Sequence, residues 1–314
     1  KRHRIAWDDV IGVFCPGFSG LAEDFYCGAP MAGAKLVMGE DFAPEELLRL
    51  IEKERVTAIV TVPTILVRMF SHPDLDRRDL SSLRSVRYSG APLPYKQGLE
   101  AEEKLGCRLI PHYGANDVAM VTTGAWDDPR EARLRSVGRP ADGLEVKLFD
   151  DSEQEVPTGE VGEVVVRGPH CMPGYHKEPD ALAEAWRGGW FHMGDLGRID
   201  GDGFLYIVGR KKDMILRGGQ NIFAAEIEDI LTQHPKVTGA AVVRMPDPVM
   251  GERACAYVVL VAGEEFLFEE MAAFFKGKKV ASFKIPERLE LISELPLVSA
   301  QKVAKKVLED DLLN

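Results

Sequence analysis

The sequence predicts an α/β protein with a mostly parallel sheet under helical cover, then a β-rich subdomain, then a small C-terminal α/β domain. Three observations lead to this class. Strand and helix patterns alternate over residues 1–135, which is the order typical of parallel sheets. Short strands separated by Gly, Asp and Pro turns fill residues 136–211. Helices and strands alternate again over residues 212–314, so we place a domain boundary at Lys212.

The alternation in the first part begins with an apolar run at residues 36–38. Pro44 and two glutamates then open a predicted helix that ends at residue 55, because proline and acidic residues suit the first helical turn. Residues 56–62 form an unbroken, largely β-branched run, which is typical of a strand buried on both faces. The remaining predicted elements are a helix over 63–70, strands over 83–88 and 107–111, and a helix over 99–105.

The middle and last parts are distinguished by strand length and turn content. Short strand patterns occur at residues 144–149, 163–167, 204–208 and 214–216, the last of them just beyond the boundary at Lys212. Residues 200–203, Asp-Gly-Asp-Gly, are predicted to form a tight turn. The last part contains a helix over 224–232, strands over 237–244 and 254–261, a helix over 266–275, and a basic tail.

Charge and cysteine content argue against several classes of function. The 314 residues carry a formal net charge of −11, which disfavours a nucleic-acid partner because phosphate binding needs clustered Lys and Arg. The five cysteines are scattered without a Cys-x-x-Cys pair, so we expect free thiols and a reducing, cytoplasmic compartment. No apolar run is long enough for a transmembrane segment. Zinc-protease, serine-hydrolase-elbow and Walker patterns do not occur in this sequence.

The most informative stretch is residues 188–222, which reads GGWFHMGDLGRIDGDGFLYIVGRKKDMILRGGQNI. An acid (Asp195), an arginine (Arg210), a lysine pair and a glycine pair (Gly218, Gly219) follow one another along two hairpin patterns. A carboxylate can accept both hydrogen bonds of a vicinal diol, and paired glycines permit unusual dihedral angles and close backbone approach. On local grounds alone, a turn-capping aspartate and an ordinary hairpin turn fit these residues equally well.

Two further segments carry groups that suit a nucleotide. Residues 113–117, Tyr-Gly-Ala-Asn-Asp, follow a predicted strand; an aromatic ring can stack on a purine, and Asn and Asp can meet a phosphate and its cation. Residues 89–94, Ser-Gly-Ala-Pro-Leu-Pro, lie at a strand end, where open α/β sheets bind ligands. Taken singly, either string is also typical of a solvated turn or a strand-to-helix turn.

In order and spacing, these segments resemble the motifs of the adenylate-forming ligases, the family of acyl-CoA synthetases, carrier-protein-loading adenylation domains and firefly luciferase. Residues 162–175, 280–286 and 294–303 extend the resemblance over nearly the whole chain. The resemblance implies a large nucleotide-binding domain and a small mobile C-terminal domain that rotates about a hinge at Lys212.

The resemblance also implies a nucleotide site. Tyr113 would stack on adenine, Asn116 stands where the family has a threonine that contacts the α-phosphate, and Asp195 would grip the ribose hydroxyls with Arg210 nearby. Asp117 stands for the glutamate that holds magnesium and is one methylene shorter. The complete implied nucleotide set is Gly90, Ala91, Pro92, His112, Tyr113, Gly114, Asn116, Asp195 and Arg210.

The remaining implied roles concern the acid and the thiol. Lys302 aligns with the catalytic lysine that stabilises charge between carboxylate and phosphate, with Gln301 replacing the usual glycine. Gly218 and Gly219 would line the pantetheine tunnel. Ser19 and Gly114 would line the acyl pocket. Ser19 stands where an aromatic residue or histidine is common, so it would leave room for a bulky or long acyl group or weaken the gating of the pocket.

The implied activity is that of an ATP-dependent acid–thiol ligase joining a fatty or aromatic carboxylic acid to CoA through an acyl-AMP, with ATP, Mg²⁺ and CoA as cofactors. Two alternatives stay open, an acyl- or aryl-AMP ligase that loads a carrier protein and a non-catalytic nucleotide- or partner-binding remnant. The Ser/Thr/Gly-rich phosphate loop of the family is missing and the sequence starts without Met, so we expect an inactive fragment. Homo-oligomerisation is left open.

Overall fold

The computed structural model describes residues 5–17, 19–39, 41–299 and 302–312. The contacts divide the chain into two compact units. The first extends to Met193 and includes Gly197–Ile207, and the second comprises Gly194–Leu196 and the chain from Val208 onward. Within the described residues, every helix is too short or too polar to cross a membrane.

The first unit begins with alternating strands and helices. In chain order the elements are β1 (Val10–Phe14), α1 (Gly20–Met31), β2 (Lys35–Met38), α2 (Pro44–Glu54), β3 (Ala58–Thr61), α3 (Pro63–Phe70), β4 (Ser85–Tyr88), α4 (Tyr95–Leu105), β5 (Arg108–Ala115), β6 (Ala119–Thr123), α5 (Arg130–Arg135) and β7 (Arg139–Pro140). The strands form one sheet in the order β2-β1-β3-β4-β5-β6-β7. The pairs from β2 to β5 are parallel, so the predicted α/β class with a mostly parallel sheet and helical cover is confirmed.

Local sequence explains where these helices begin and what they bury. α2 and α3 both have proline in the first turn, where its missing N–H and fixed φ cost nothing. α2 places Leu47, Leu48 and Ile51 on one buried face and ends at Arg55 in the left-handed conformation, with φ +54°. The core lies between these helices and the strands, and all four residues of β3 are buried.

The β-rich part of the chain follows. Its elements are β8 (Glu145–Phe149), β9 (Val161–Arg167), α6 (Pro179–Ala185), β10 (Trp186–Arg187), β11 (Trp190–Ile199) and β12 (Leu205–Arg210). The strand order is β10-β11-β9-β8, and β12 also pairs with β11. The predicted turn at 200–203 forms because the Asp200 carboxylate accepts the Asp202 and Phe204 amides at 3.0 and 2.9 Å.

The C-terminal unit is a second, smaller α/β structure. Its elements are β13 (Met214–Arg217), β14 (Gln220–Phe223), α7 (Ala224–Thr232), β15 (Val237–Asp247), β16 (Gly251–Leu260), α8 (Phe268–Gly277), β17 (Arg288–Leu291), β18 (Leu297–Ser299), β19 (Lys302–Val303) and α9 (Lys305–Asp311). The main sheet has the order β14-β13-β16-β15, with β17 beside β16, and β18–β19 is a separate hairpin. The predicted strand at 214–216 pairs with β14 and β16.

Side chains of β15 and β16 alternate between two cores of the C-terminal unit. Val242, Ala256 and Val258 pack in the cluster that contains α7 and α8 side chains. Tyr257 and Val243 belong to the opposite cluster, which contains Leu308 of α9. The strand period of two therefore makes this sheet a support for helices on both faces.

Candidate active site

Two predicted nucleotide segments lie side by side where β4 ends. Tyr88 at the end of β4 pairs in parallel with Pro111 of β5, so the Gly90, Ala91 and Pro92 loop starts at the same edge of the sheet as His112. Gly90 has φ +91°, which favours glycine in this turn. Because carboxyl ends of neighbouring parallel strands are the usual ligand edge of such sheets, this arrangement suits a ligand site.

The strand prediction that ended at residue 111 is too short. β5 continues through Ala115 because it pairs antiparallel with β6, so Tyr113 and Gly114 lie within the strand rather than after it. The register is irregular between Tyr113 and Gly114. A Cβ atom at Gly114 would lie 2.0 Å from the carbonyl oxygen of Ala119, so this position requires glycine for backbone packing alone.

Asn116 and Ser19 meet at the start of α1. The Gly20 amide donates to Asn116 Oδ1 at 2.9 Å, and Ser19 caps the helix by accepting the Ala22 amide at 3.3 Å. The Ser19 hydroxyl donates to the Pro16 carbonyl at 2.8 Å. The structure thus brings a predicted phosphate residue and a predicted acyl-pocket residue together, and both also serve as helix caps.

Asp117 is the carboxylate predicted to hold magnesium. It forms a side-chain hydrogen bond with Tyr175, whose pKa is raised by burial and then by the Asp117 charge. No group of three or more His, Cys, Asp or Glu side chains within the described ranges could hold a metal. A single carboxylate fits Mg²⁺ that is bound mainly through phosphate oxygens and water, so Asp117 can serve as the protein ligand.

His112 packs in a buried polar and aromatic cluster that includes a residue the sequence analysis missed. Its Nδ1 lies 3.0 Å from Met120 Sδ, and its ring meets Phe25 of α1 edge to face at 6.1 Å. Arg87 of β4 is fully buried, with its guanidinium 5.7 Å from the same Phe25 ring, and burial lowers its pKa to about 10. The sequence signal for it is an arginine at an inner position of the predicted strand 83–88.

Asp195 and Arg210 contact each other directly. Asp195 lies on β11 with a side chain that is 7% exposed, and Arg210 ends β12 with half of its side chain exposed. Arg210 Nε lies 2.8 Å from Asp195 Oδ1. Gly194, immediately before the aspartate, has φ +67°. The two predicted ribose residues therefore form one charged pair at the surface.

Gly218 and Gly219 form the tip of the β13–β14 hairpin. Their φ values of +55° and +81° match the two-residue turn that favours glycine. The Gly218 amide donates to the Met250 carbonyl at 2.8 Å, and Arg217 Nε lies 2.5 Å from Glu287 Oε1. The tip is thus tied to the β15–β16 turn on one side and to the segment before β17 on the other.

The two remaining predicted residues lie in the same unit. Lys302 begins β19 and pairs with Ser299, while Gln301 before it lies outside the described residues. Lys212 is exposed and lies in the short 3-10 turn Lys211–Asp213 between β12 and β13.

Comparison with known proteins gives two family matches. Residues 1–176 match the family described as AMP-binding enzyme, and residues 226–302 match the AMP-binding enzyme C-terminal domain. Among curated proteins, a medium-chain fatty-acid–CoA ligase of Escherichia coli strain K12 is 38% identical over 99% of this chain and 56% of its own length. A feruloyl-CoA synthase of Amycolatopsis is 35% identical over 96% of this chain and 61% of its own.

A solved structure agrees with these matches. The crystal structure of ATP-bound MatB from Rhodopseudomonas palustris superposes with a TM-score of 0.91 at 28% identity, covering 99% of this chain and 61% of MatB. The chain therefore spans somewhat more than half the length of the relatives it matches.

Proposed function

The chain belongs to the family of AMP-binding enzymes, and on this premise we propose that the whole protein is an ATP-dependent ligase that joins a fatty or aromatic acid to coenzyme A. The observation that supports this most is that the Gly90–Ala91–Pro92 loop leaves β4 beside His112 of the neighbouring parallel strand β5. The names of two relatives, a medium-chain fatty-acid–CoA ligase and a feruloyl-CoA synthase, support both kinds of acid.

In the first half-reaction, a carboxylate oxygen of the acid attacks the α-phosphorus of ATP. The bond to the β-phosphate breaks, so acyl-AMP and pyrophosphate form. We assign the ribose hydroxyls to Asp195 and Arg210, adenine stacking to Tyr113, and the α-phosphate to Asn116. Mg²⁺, held by Asp117, would neutralise phosphate charge. Lys302 would stabilise the negative charge that builds up between the carboxylate and the phosphate.

In the second half-reaction, the thiolate of CoA attacks the acyl carbonyl carbon and AMP leaves. We assign the approach of the pantetheine arm to Gly218 and Gly219, since a tip without side chains lets a narrow chain pass close to the backbone. We propose Lys212 as the hinge that exchanges Lys302 for this tip, and residues 212–314 as the moving part. Ser19 and Gly114 would line the acyl pocket.

A carrier protein is the second candidate acceptor. The RGGQNI string and the basic pattern at Lys302, Lys305 and Lys306 are similar to those of ligases that load carrier proteins. A third candidate is a nucleotide- or partner-binding protein without catalysis, which the Asn116 replacement of threonine favours. Because this sequence contains no Ser/Thr/Gly-rich loop, we expect the 314-residue chain alone to form little acyl-AMP. Its five free cysteines support a cytoplasmic location.

The test is pyrophosphate exchange into ATP by the whole protein, with octanoate and ferulate as acids. We expect exchange with at least one acid, followed by thioester formation that is faster with CoA than with a purified carrier protein. Lys302→Ala should lower exchange by about 10²–10³-fold and leave thioester formation from supplied acyl-AMP intact. No exchange with either acid would favour the non-catalytic alternative, and faster transfer to the carrier protein would favour the second candidate.

A further inference from the structure

Helix α9, which begins three residues after Lys302, is tied to the C-terminal unit by polar contacts. Lys305 Nζ lies 2.7 Å from Glu228 Oε1 of α7, and Arg244 Nε of β15 lies 3.0 Å from Glu309 Oε1. These two ties hold the start and the second half of the helix. Both involve partly exposed side chains, so each contributes modestly.

The third contact comes from Tyr257 of β16, whose side chain is buried. Its side chain is 1% exposed, and its hydroxyl donates toward two acceptors, the Leu308 carbonyl at 3.1 Å and Asp311 Oδ2 at 2.8 Å. Both acceptors lie in the last turn of α9. Hydrogen bonds to a carboxylate are stronger than those between neutral groups, and this hydroxyl belongs to a buried side chain of the sheet on which the helix packs.

Packing secures only part of α9. Leu308 is buried in the cluster with Tyr257, Val243 and Cys255, but a cleft of about 450 Å³ opens between the helix and residues 292–296. Val307 and Asp311 line that cleft. Where side chains do not fill the space beside a helix, the remaining contacts must fix its position. The Tyr257 hydroxyl therefore contributes more to the position of α9 than it would beside a filled interface.

A short connection of two residues, Val303 and Ala304, links this helix to Lys302. Leu297 of β18 pairs with Val303 of β19, and the Ala304 amide donates to the Pro296 carbonyl at 2.7 Å. The helix follows at once with Lys305. A displacement of α9 is therefore passed directly to the backbone at Lys302, and charge stabilisation in a reaction depends on placement to within about 1 Å.

We propose that Tyr257 and its acceptor Asp311 are positioning residues for Lys302, so that they serve the adenylation half-reaction and not thioester formation. The proposal rests on the function proposed above for Lys302. It assigns to a buried tyrosine of the small unit a role in one half-reaction without any contact with substrate.

The experiment compares both half-reactions of the whole protein, using octanoate or ferulate, whichever supports exchange. Tyr257→Phe removes only the hydroxyl. We expect pyrophosphate exchange to fall about tenfold, the effect of one lost hydrogen bond to a charged group. Thioester formation from supplied acyl-AMP should stay within about twofold. Amide hydrogen exchange of residues 303–308 in the same variant should become faster, since the end of α9 is released.

Two substitutions of Asp311, one conservative and one not, test the same hydrogen bond. Asp311→Asn keeps an oxygen that accepts from Tyr257 and should retain most adenylation, whereas Asp311→Leu should behave like Tyr257→Phe. Asp311 is exposed, so these variants carry the test if Tyr257→Phe does not fold. The matched control is Glu270→Gln, which breaks the Lys236–Glu270 pair at 2.8 Å between the start of β15 and α8, and should leave both half-reactions unchanged.

The outcomes distinguish the positioning role of Tyr257 from the proposed role of Lys302. If Lys302→Ala does not reduce exchange, the proposed role of Lys302 fails. The positioning role is overturned if Lys302→Ala reduces pyrophosphate exchange but Tyr257→Phe slows both half-reactions equally. It is also overturned if Tyr257→Phe slows neither half-reaction. The positioning role is supported if Tyr257→Phe lowers pyrophosphate exchange alone and speeds amide hydrogen exchange in residues 303–308.

Discussion

Arg210 Nε lies 2.8 Å from Asp195 Oδ1, so two residues assigned separately to the ribose form one charged pair. The carboxylate is almost fully buried and the arginine is half exposed. The arginine therefore fixes the orientation of the carboxylate at the point where β11 and β12 lie side by side. Because the residues share one interaction, the effects of substituting them should not add.

Asp195→Ala should weaken ATP binding by the whole protein without changing which acid it prefers. On the proposed assignment, the change would remove hydrogen bonds to two ribose hydroxyls, each worth about 1.5–3 kcal/mol when one partner is charged. We expect the Kd for ATP, measured by calorimetry, to rise at least about tenfold. Asp202→Asn, at an exposed acid of the 200–203 turn, is the control and should bind ATP normally. Unchanged affinity in Asp195→Ala would place this residue outside the site.

Glu287→Gln should slow thioester formation and spare adenylation. Glu287 holds Arg217, next to the Gly218–Gly219 tip, at 2.5 Å, and its other oxygen accepts the Ala254 amide at 3.3 Å. Loss of the charge loosens the tip, so we expect CoA transfer from supplied acyl-AMP to fall about fivefold. Glu290→Gln breaks the nearby Arg288 pair at 2.6 Å and should have no such effect. Equal slowing in the two variants would contradict the assignment.

Glu102→Gln should be strongly destabilising. The Glu102 carboxylate is buried against Arg133 at 2.5 Å, contacts Arg130 at 2.6 Å, and accepts the Leu109 amide of β5 at 2.9 Å. Leaving a buried arginine without its charge partner costs about 3–5 kcal/mol, which urea unfolding of the 314-residue chain can measure. The neighbouring Glu103 is 71% exposed, so Glu103→Gln should change stability by less than about 0.5 kcal/mol.

Asp9 should contribute to acid unfolding. Burial by itself raises the pKa of Asp9, but hydrogen bonds from Arg84, Thr57 and the Ala6 amide outweigh it and hold the pKa below the ordinary value of 3.8. A lowered folded-state pKa gives stability that is present above the unfolded value and lost as the pH falls through the folded value. In Asp9→Asn, the urea midpoint should therefore be lower at pH 7 and fall less between pH 5 and about pH 3.

The exposed neighbour Asp8 supplies the control for this measurement. Asp8→Asn should reproduce the original dependence of the urea midpoint on pH. If Asp9→Asn also keeps that dependence, the carboxylate does not stabilise the folded state through its ionised form.

The sequence predicts an element correctly where local residue preferences and tertiary packing favour the same structure. Helix Pro63–Phe70 was predicted to the residue, because proline marks its first turn and the β-branched run before it can only be a strand. The two glycines of the β13–β14 tip were likewise predicted, since their turn needs positive φ at both positions.

The missed features depend on contacts between distant residues. α1 was not predicted, because Gly28 and Pro30 weaken its helical pattern and the cap from Asn116 is 96 positions away. The continuation of β5 through Ala115 depends on its pairing with β6. The burial of Arg87 against Phe25 follows from the packing of α1 on the sheet, which depends on residues far apart in the sequence.

Lys212 is the residue proposed as the hinge of the C-terminal part. Lys212 is exposed and lies within the 3-10 turn that joins β12 to β13, so its side chain is not needed for packing. Lys302 and the Gly218–Gly219 tip are assigned to different half-reactions at one cleft, which requires one to replace the other. Such exchanges are made by a few residues that absorb a large dihedral change.

Lys212→Pro should therefore impair one half-reaction of the whole protein at least about tenfold more than the other. Proline fixes φ near −65° and removes an N–H, and it also restricts the residue before it, so only one of the two required conformations stays accessible. Pyrophosphate exchange and CoA transfer from supplied acyl-AMP are measured separately. Lys212→Ala keeps the backbone freedom and should leave both rates intact. Normal rates for both half-reactions in Lys212→Pro would mean that the pivot lies at another residue or that the C-terminal part does not rotate.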